Sequence, residues 1–203
     1  MHHFISFAFT LLVVIGLHVS VQSTGNFVSL LTVTNGLEGG LWGQRELCPS
    51  GTYAAGFSLK VEKPHVSDNT ALNGIRLYCV SQTKDLLDSN EDTFVQSDVG
   101  SWGEWTDAKW CPSGFLTAFQ LRVQSAQKLQ DNTAANNIRF KCSQGEGTDL
   151  LLQGDGTDRG EWGDWSPLCQ GKGICGIRTR VEEPQGYLRD DTALNDVRMY
   201  CCD

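Results

Sequence analysis

The sequence lacks an apolar stretch long enough to cross a membrane. Its longest apolar run, from Phe4 to Leu17, is shorter than the roughly 20 residues that a transmembrane helix needs. The run contains no acidic, Lys or Arg residue and is followed by the small-residue pattern Val21-Gln22-Ser23. This arrangement predicts a secretory signal peptide over residues 1–23, cleaved before Thr24. We therefore expect a secreted, extracellular mature protein with no membrane insertion.

Histidine and closely spaced cysteine pairs are also scarce. His65 is the single histidine after residue 23, and it lies in a predicted loop, so a metal site or catalytic triad would have to be built on it alone. Cys-x-x-Cys spacing is missing, and Asp155-Gly156-Thr157-Asp158 lacks the spacing of an EF-hand. We expect no metal and no cofactor.

Basic residues are fewer than acidic residues. The chain has 16 Lys and Arg residues against 24 Asp and Glu residues, a net charge of −8. Nucleic acids and anionic membranes select a basic face, so neither is an expected partner. No Asn-x-Ser/Thr sequence occurs, which excludes N-linked glycosylation.

The chain does contain a threefold internal repeat. A Gly-x-Trp-Gly sequence recurs at offsets of sixty residues, at 40–43, 100–103 and 160–163. The longer frame Asp-[Asn/Asp]-Thr-Ala-x-Asn-x-[Ile/Val]-Arg-x-x-Cys occupies 68–79, 131–142 and 190–201. We interpret residues 24–203 as a single domain built of three repeats, at about 28–82, 83–144 and 145–203.

Within each repeat, apolar and polar residues alternate. Phe57, Leu59 and Val61 alternate with Ser58 and Lys60, which is the period of a half-buried strand. Gly- and Asn-rich breaks supply turns, and no long segment after the signal peptide has helical periodicity. The pattern predicts an all-β protein in which each repeat forms one small sheet and the three sheets enclose a shared core.

Eight cysteines, all after the signal peptide, predict a disulfide framework in an oxidising compartment. Equal intervals pair Cys48 with Cys79 and Cys111 with Cys142. Adjacent cysteines on a strand point to opposite faces, so Cys201 and Cys202 should have different partners. Repeat position pairs Cys169 with Cys201 and leaves Cys175 for Cys202, although spacing alone also allows the swapped arrangement.

Together, the Gly-x-Trp-Gly openings, the Cys-Pro-Ser-Gly of 48–51 and 111–114, the repeated frame and the terminal Tyr200-Cys201-Cys202 resemble the vitelline membrane outer layer protein I family. The resemblance implies a β-prism, in which three Greek-key sheets surround a pseudo-threefold axis. It also implies an extracellular coat or lining protein and a chitooligosaccharide-related activity at a carboxylate-lined cleft. Pro167-Leu168-Cys169-Gln170-Gly171 departs from the Cys-Pro-Ser-Gly pattern, so symmetry is most doubtful there.

Tryptophans are candidates for sugar contact, because a flat ring can stack on the apolar face of a sugar. Trp42, Trp102 and Trp162 recur at equivalent repeat positions, which favours a packing role. The three other tryptophans do not recur in all three repeats, since Arg45 occupies the first-repeat position that corresponds to Trp105 and Trp165. These candidate ligand-binding residues are Trp105, Trp110 and Trp165.

Glycosidic chemistry needs a close pair of carboxyl groups, one of them held protonated in an apolar setting. The recurring Asp68, Asp131 and Asp190 precede Asn or Asp and Thr, and are better explained as turn residues that can pair with Arg76, Arg139 and Arg198. The candidate catalytic residues near the tryptophan loops are Glu38, Glu104, Glu161 and Asp164.

The leading hypothesis is a secreted structural protein of an extracellular coat or lining that also associates weakly with N-acetylglucosamine oligomers. Its expected partners are coat glycoproteins or glycans, and it is expected to be monomeric. One alternative is a lysozyme-like transglycosylase or hydrolase acting on chitooligosaccharides, and a second is a lectin. An enzyme requires a cleft with a close carboxylate pair, whereas a lectin requires an exposed aromatic platform without that pair.

Overall fold

The computed structural model describes residues 27–62, 72–82, 93–124, 135–143, 150–182 and 194–203. In these segments the chain forms strands and no helix, as the alternating pattern predicted. Six long strands form three antiparallel hairpins: β4 (Thr52–Val61) with β5 (Leu72–Ser81), β9 (Leu116–Val123) with β10 (Ala135–Cys142), and β13 (Gly173–Val181) with β14 (Leu194–Cys202). The shorter strands are β1 (Ser29–Leu31), β2 (Leu41–Trp42), β3 (Glu46–Leu47), β6 (Phe94–Val95), β7 (Glu104–Trp105), β8 (Lys109–Trp110), β11 (Leu150–Gln153) and β12 (Glu161–Trp162).

The strands form three antiparallel sheets, each of which is a wall of the molecule. Sheet A has the order β1-β14-β13-β2, with β3 also on β13. Sheet B has the order β6-β5-β4-β7, with β8 also on β4, and sheet C has the order β11-β10-β9-β12. In sheets B and C the fourth strand in chain order returns to lie beside the first strand of the hairpin, which is Greek-key topology. Sheet A has the same spatial arrangement, but its short strands precede the hairpin in the chain. The fold is therefore the three-walled β-prism that the resemblance implied.

The sheets do not coincide with the sequence repeats, so the expectation of one sheet per repeat is wrong. Strands β1, β2 and β3 lie in the repeat at 28–82, yet they complete sheet A, whose long hairpin comes from 145–203. Likewise, the long hairpin of 28–82 is completed by β6, β7 and β8 of the next repeat. Alternation identifies a strand and its buried face but not its partner, because any neighbouring edge can satisfy the backbone hydrogen bonds. Each repeat is thus interlocked with the next.

The inner faces of the three walls share one apolar core. Phe57 of sheet B contacts Phe140 of sheet C, with ring centroids 4.7 Å apart. Phe119 of sheet C extends this aromatic group, and Ile177 and Met199 of sheet A are fully buried in the same cluster. A single hairpin could not bury side chains of this size on both sides, so the closed arrangement of three walls creates the core.

Three of the four disulfides join neighbouring walls. Cys48 lies at the end of β3, where its N–H donates to the carbonyl of Cys175 in sheet A, and its sulfur is bonded to Cys79 in sheet B. Cys111–Cys142 joins sheet B to sheet C, and Cys169–Cys201 joins sheet C to sheet A, in the same way. The fourth bridge, Cys175–Cys202, lies within sheet A. Each of the four bridges stays inside one sequence repeat, and three of them hold the assembled walls together.

Candidate functional site

Backbone register shows which tryptophans are equivalent in the three walls. Trp42, Trp105 and Trp162 each pair with the penultimate residue of a long strand, namely Arg180, Lys60 and Arg122. The glycine two residues before each tryptophan has a positive φ, of 73° at Gly40, 88° at Gly103 and 76° at Gly160. A side chain there would collide with the backbone of the long strand, so glycine is required at this entry.

The sequence-based equivalence of Trp42, Trp102 and Trp162 is therefore wrong, because Trp105 occupies the structural position and Trp102 is 52% exposed. The sequence contains two overlapping candidates, Gly100-Ser-Trp102 and Gly103-Glu-Trp105, and the offset of sixty selected the first. The spacing of sixty-three residues between Cys48 and Cys111 is the signal that supports the second, since 111 − 48 = 63. The second repeat has a three-residue insertion before Trp105, and three residues fewer separate Trp105 from Trp162. The offset of sixty therefore aligned Trp102, rather than Trp105, with Trp42 and Trp162.

The outer face of sheet C carries an alternating ladder of cations and indole rings. The Arg122 guanidinium lies 5.8 Å from the centroid of the Trp162 ring, and that of Arg139 lies 4.3 Å from the same ring. Arg139 is also 5.5 Å from Trp165, which in turn has the Lys141 ammonium 5.0 Å from its ring. Such contacts hold both indoles at fixed positions on the wall. We refer to these five residues as the sheet C ladder.

Arg139, at the centre of this ladder, has a pKa that is shifted by burial and by a neighbouring charge. Partial burial, together with repulsion from Arg122, lowers the pKa of Arg139. Its Nε donates to the side-chain oxygen of Gln120, whose amide nitrogen in turn donates to the carbonyl of Gly163. These bonds connect β9, β10 and the segment after β12, so they fix the plane on which Trp162 and Trp165 lie.

A cavity of about 340 Å³ adjoins the ladder at the seam between sheets C and A. Trp162 and Glu161 form one side of the cavity, and the segment 34–37 between β1 and β2 forms the other. Asn35 attaches this segment to sheet C, because its Nδ2 donates to the carbonyl of Leu121 at 2.9 Å. The volume lies within the range of small-ligand sites in proteins.

The four candidate carboxylates are dispersed. Glu161, on β12, lines the cavity, and Asp164 lies in the segment that follows this strand. Glu38 follows the cavity segment 34–37, whereas Glu104 lies on β7 of sheet B. All four side chains are exposed, so none has the apolar setting that keeps a general acid protonated.

The three candidate tryptophans also separate. Only Trp165 belongs to the sheet C ladder. Trp105 lies on sheet B, where the guanidinium of Arg76 is 3.8 Å from its ring centroid, and Trp110 stacks on Tyr78 with centroids 5.2 Å apart. Trp105 and Trp110 are half-buried, as Trp165 is, but both lie on sheet B rather than on the wall that adjoins the cavity.

Sequence reasoning missed Asp196, a half-buried carboxyl on the outer face of sheet A. Burial raises its pKa, although the N–H of Val197 and the charges of Arg198 and Arg180 act in the opposite direction. Asn137 occupies the corresponding position in sheet C, where its side-chain oxygen accepts from Ile138 N–H and its Nδ2 donates to the carbonyl of Gly154. The replacement of an amide by an acid at one repeat position was the available signal.

Several expectations concern residues outside the described segments: the signal peptide at 1–23, His65, and the aspartates Asp68, Asp131 and Asp190. Within the described segments, no group of three or more His, Cys, Asp or Glu side chains is arranged to hold a metal ion. None of the structure described contains a helix long and apolar enough to cross a bilayer.

The comparison with known families identifies the chain. A model described as vitelline membrane outer layer protein I matches residues 29–203. The chain belongs to this family. It is 49% identical over 179 residues to the vitelline membrane outer layer protein 1 homolog of Homo sapiens, an alignment that covers 87% of this chain and 84% of the human protein. The Mus musculus homolog is 46% identical over 188 residues, or 91% of this chain and 88% of the mouse protein.

Two solved structures are similar to this member of the family at low sequence identity. One is the Calsepa lectin in complex with a bisected glycan, with a TM-score of 0.48, 12% identity, and coverage of 86% of this chain and 97% of the lectin. The other is the second β-prism domain of RbmC from V. cholerae, with a TM-score of 0.41, 10% identity, and coverage of 84% and 98%.

Proposed function

We propose that this family member is a secreted structural protein of an extracellular coat or lining, and that it associates with glycans through sheet C. Three inter-wall disulfides and one shared core make a body suited to an oxidising, protease-containing environment. The family description, which refers to the outer layer of the vitelline membrane, supports the coat role.

The observation that carries the glycan proposal is the placement of Trp162 and Trp165 on one wall beside the 340 Å³ cavity. Trp165 stacks on Lys141 and Arg139 at its edge of the ladder, and its ring is half-exposed rather than buried in the core. A sugar ring can lie on such an indole while its polar substituents reach the cavity rim, where Glu161 and the segment 34–37 supply hydrogen-bonding groups. N-acetylglucosamine oligomers, which offer both an apolar ring face and an amide, fit this chemistry.

Hydrolysis or transglycosylation receives less support from the same geometry. Glu161 and Asp164 are three residues apart in the chain, but both are exposed. Glycosidic cleavage needs one carboxyl that is held neutral by an apolar environment. A lectin role without a coat function would use the same aromatic wall. A lectin and a structural coat protein are distinguished by whether the protein is incorporated into an insoluble coat.

Calorimetric titration with N-acetylglucosamine oligomers tests the glycan association. Trp165→Ala should weaken binding about tenfold, corresponding to about 1.4 kcal/mol of lost stacking. Alanine is tolerated sterically there, because Ala108 occupies the same place relative to Trp105 as Trp165 does relative to Trp162. The matched control, Trp102→Ala, removes an exposed indole that lies outside sheet C and should leave binding unchanged.

Equal affinity of wild type and Trp165→Ala would reject the sheet C site. New oligomer lengths after incubation, abolished by Glu161→Gln, would favour the enzyme instead. Expression of the full chain in secreting cells tests the extracellular assignment, and the protein recovered from the medium should begin at Thr24.

A further inference from the structure

The outer face of sheet A concentrates positive charge in an acidic chain. Arg178 and Arg180 are two residues apart on β13, so they share a face, and Arg178 lies directly opposite Arg198 of β14 in the strand register. Arg45 lies over Tyr200, two residues beyond Arg198 on the same face. Four arginines therefore occupy one wall of a protein whose net charge is −8.

The other two walls show that this charge is not required by the fold. Arg76 of sheet B and Arg139 of sheet C correspond to Arg198, and their cross-strand partners are Ser58 and Gln120. Both partners are neutral and hydrogen-bonded: Ser58 with the Tyr78 hydroxyl, and Gln120 with Arg139. In sheet A the partner is a second arginine, although like charges directly opposite each other destabilise an antiparallel pair.

Contacts within the wall orient these arginines without neutralising them. Arg178 donates from Nε to the carbonyl of Gly43 at 2.7 Å, and Arg180 does so to Gly40 at 3.2 Å. The Trp42 ring lies 4.2 Å from the Arg198 guanidinium and 5.8 Å from that of Arg178. The ion pairs Lys109–Asp155 and Arg122–Asp158 lie on other walls.

Asp196 is an acidic side chain that faces the same arginines. It lies opposite Arg180 in the register and is half-buried, with one oxygen accepting the N–H of Val197. Glu46, on β3, is exposed at the edge of the wall beside Ile177. Four guanidinium groups therefore face these two carboxyls, an excess of two positive charges among these six groups.

We propose that the outer face of sheet A binds the sulfate groups of a sulfated polysaccharide. Arg178 and Arg198 hold the anionic group, because a guanidinium presents parallel N–H donors that match the oxygens of a sulfate or carboxylate. Trp42, fixed between the two arginines, supplies a flat apolar surface for the adjoining sugar ring. This site lies on a different wall from the sheet C ladder and takes a ligand of different charge.

Titration calorimetry with a heparin hexasaccharide and with its fully desulfated form tests this assignment. The sulfated probe should bind at low salt and bind more weakly as salt is raised, whereas the desulfated probe, which keeps only its carboxylates, should bind at least about tenfold more weakly than the sulfated one. The double variant Arg178→Gln and Arg198→Gln should lower the affinity about tenfold or more. Glutamine fits at position 178, since Gln120 occupies the corresponding place in sheet C, and a thermal melt of the variant checks its folding.

Lys60→Gln with Arg76→Gln is the control, because it removes two positive charges from sheet B, at the positions that correspond to Arg180 and Arg198. Its affinity for the hexasaccharide should stay within about twofold of wild type, as screening limits the effect of distant charges. Equal losses of affinity in the two double variants would show that general charge attraction holds the hexasaccharide, and this would overturn the proposal. Equal binding of the desulfated probe, or binding only of an acidic peptide or a second copy of the chain, would also overturn it.

Trp165→Ala separates this site from the proposed function. If the proposals are both correct, that variant loses affinity for N-acetylglucosamine oligomers and keeps its affinity for the sulfated hexasaccharide. Failure of the neutral oligomers to bind wild type would reject the sheet C site alone, and failure of the hexasaccharide would reject the sheet A site alone.

Discussion

The register of the second repeat can be tested through the coupling between an indole and an arginine. The structure places the Arg76 guanidinium 3.8 Å from the centroid of the Trp105 ring, on the outer face of sheet B. A cation over an indole contributes about 0.5–1 kcal/mol when exposed and about 2 kcal/mol when desolvated, so this half-buried pair should contribute about 1 kcal/mol. Trp102, the residue that the offset of sixty selects, is 52% exposed and makes no such ring contact with Arg76.

Two double-mutant cycles measure this difference. Arg76→Gln is combined with Trp105→Ala in one cycle and with Trp102→Ala in the other, and free energies of unfolding come from urea denaturation with the disulfides intact. Far-ultraviolet circular dichroism is the suitable signal, because the tryptophan variants lose a fluorescent reporter that the Arg76→Gln variant keeps. We expect a coupling energy of about 1 kcal/mol for Trp105 and less than about 0.3 kcal/mol for Trp102. A coupling for Trp102 that equals or exceeds that for Trp105 would refute the register.

Three further changes probe the core, the walls and the buried acid. Phe140→Ala should destabilise the protein by about 3–5 kcal/mol, because Phe140 is fully buried between Phe57 and Phe119, whereas the exposed Leu151→Ala should change stability by less than about 0.5 kcal/mol in the same urea titration. Replacing Cys111 and Cys142 by alanine should cost about 3.5–4 kcal/mol for a separation of 31 residues, visible as a lower denaturation midpoint; an unchanged midpoint would show that this bridge does not hold sheets B and C together. Asp196→Asn should raise the melting temperature at pH 7, since burial raises the pKa of Asp196 and Asn137 satisfies both of its polar atoms at the corresponding position. Because that pKa is raised in the folded state, wild type should gain stability relative to Asp196→Asn as the pH falls through it, and melts from pH 7 to pH 4 that run parallel would contradict this assignment.

Much of the fold follows from patterns along the chain. Period-two alternation at residues such as Phe57, Leu59 and Ile75 marks the long strands, because a strand buried on one face must alternate. The repeated frame implies that the strand pairs are equivalent. The cysteine pairing in the structure follows the same repeat logic, including Cys169 with Cys201.

The candidate site was less accessible to sequence reasoning. Trp165 was singled out because it interrupts the repeat, and the structure brings it together with Trp162, which had been assigned to packing. Their proximity depends on Arg139, which lies between the two rings and comes from a different strand. Contacts of this kind depend on which short strand lies beside which hairpin, and the sequence of a strand does not indicate which strand will lie beside it.

The amino-acid sequence by itself determined the strands, their buried faces, the threefold repetition and the family to which the chain belongs. These properties depend on local periodicity and on residues that recur at fixed positions. Only the tertiary structure decided that each wall combines strands from two repeats, that Trp105 rather than Trp102 occupies the repeated position, and that four arginines gather on sheet A. The physical reason is that strand pairing and the closure of the core are set by the whole chain at once, since the N-terminal strands must complete the sheet that the C-terminal hairpin begins.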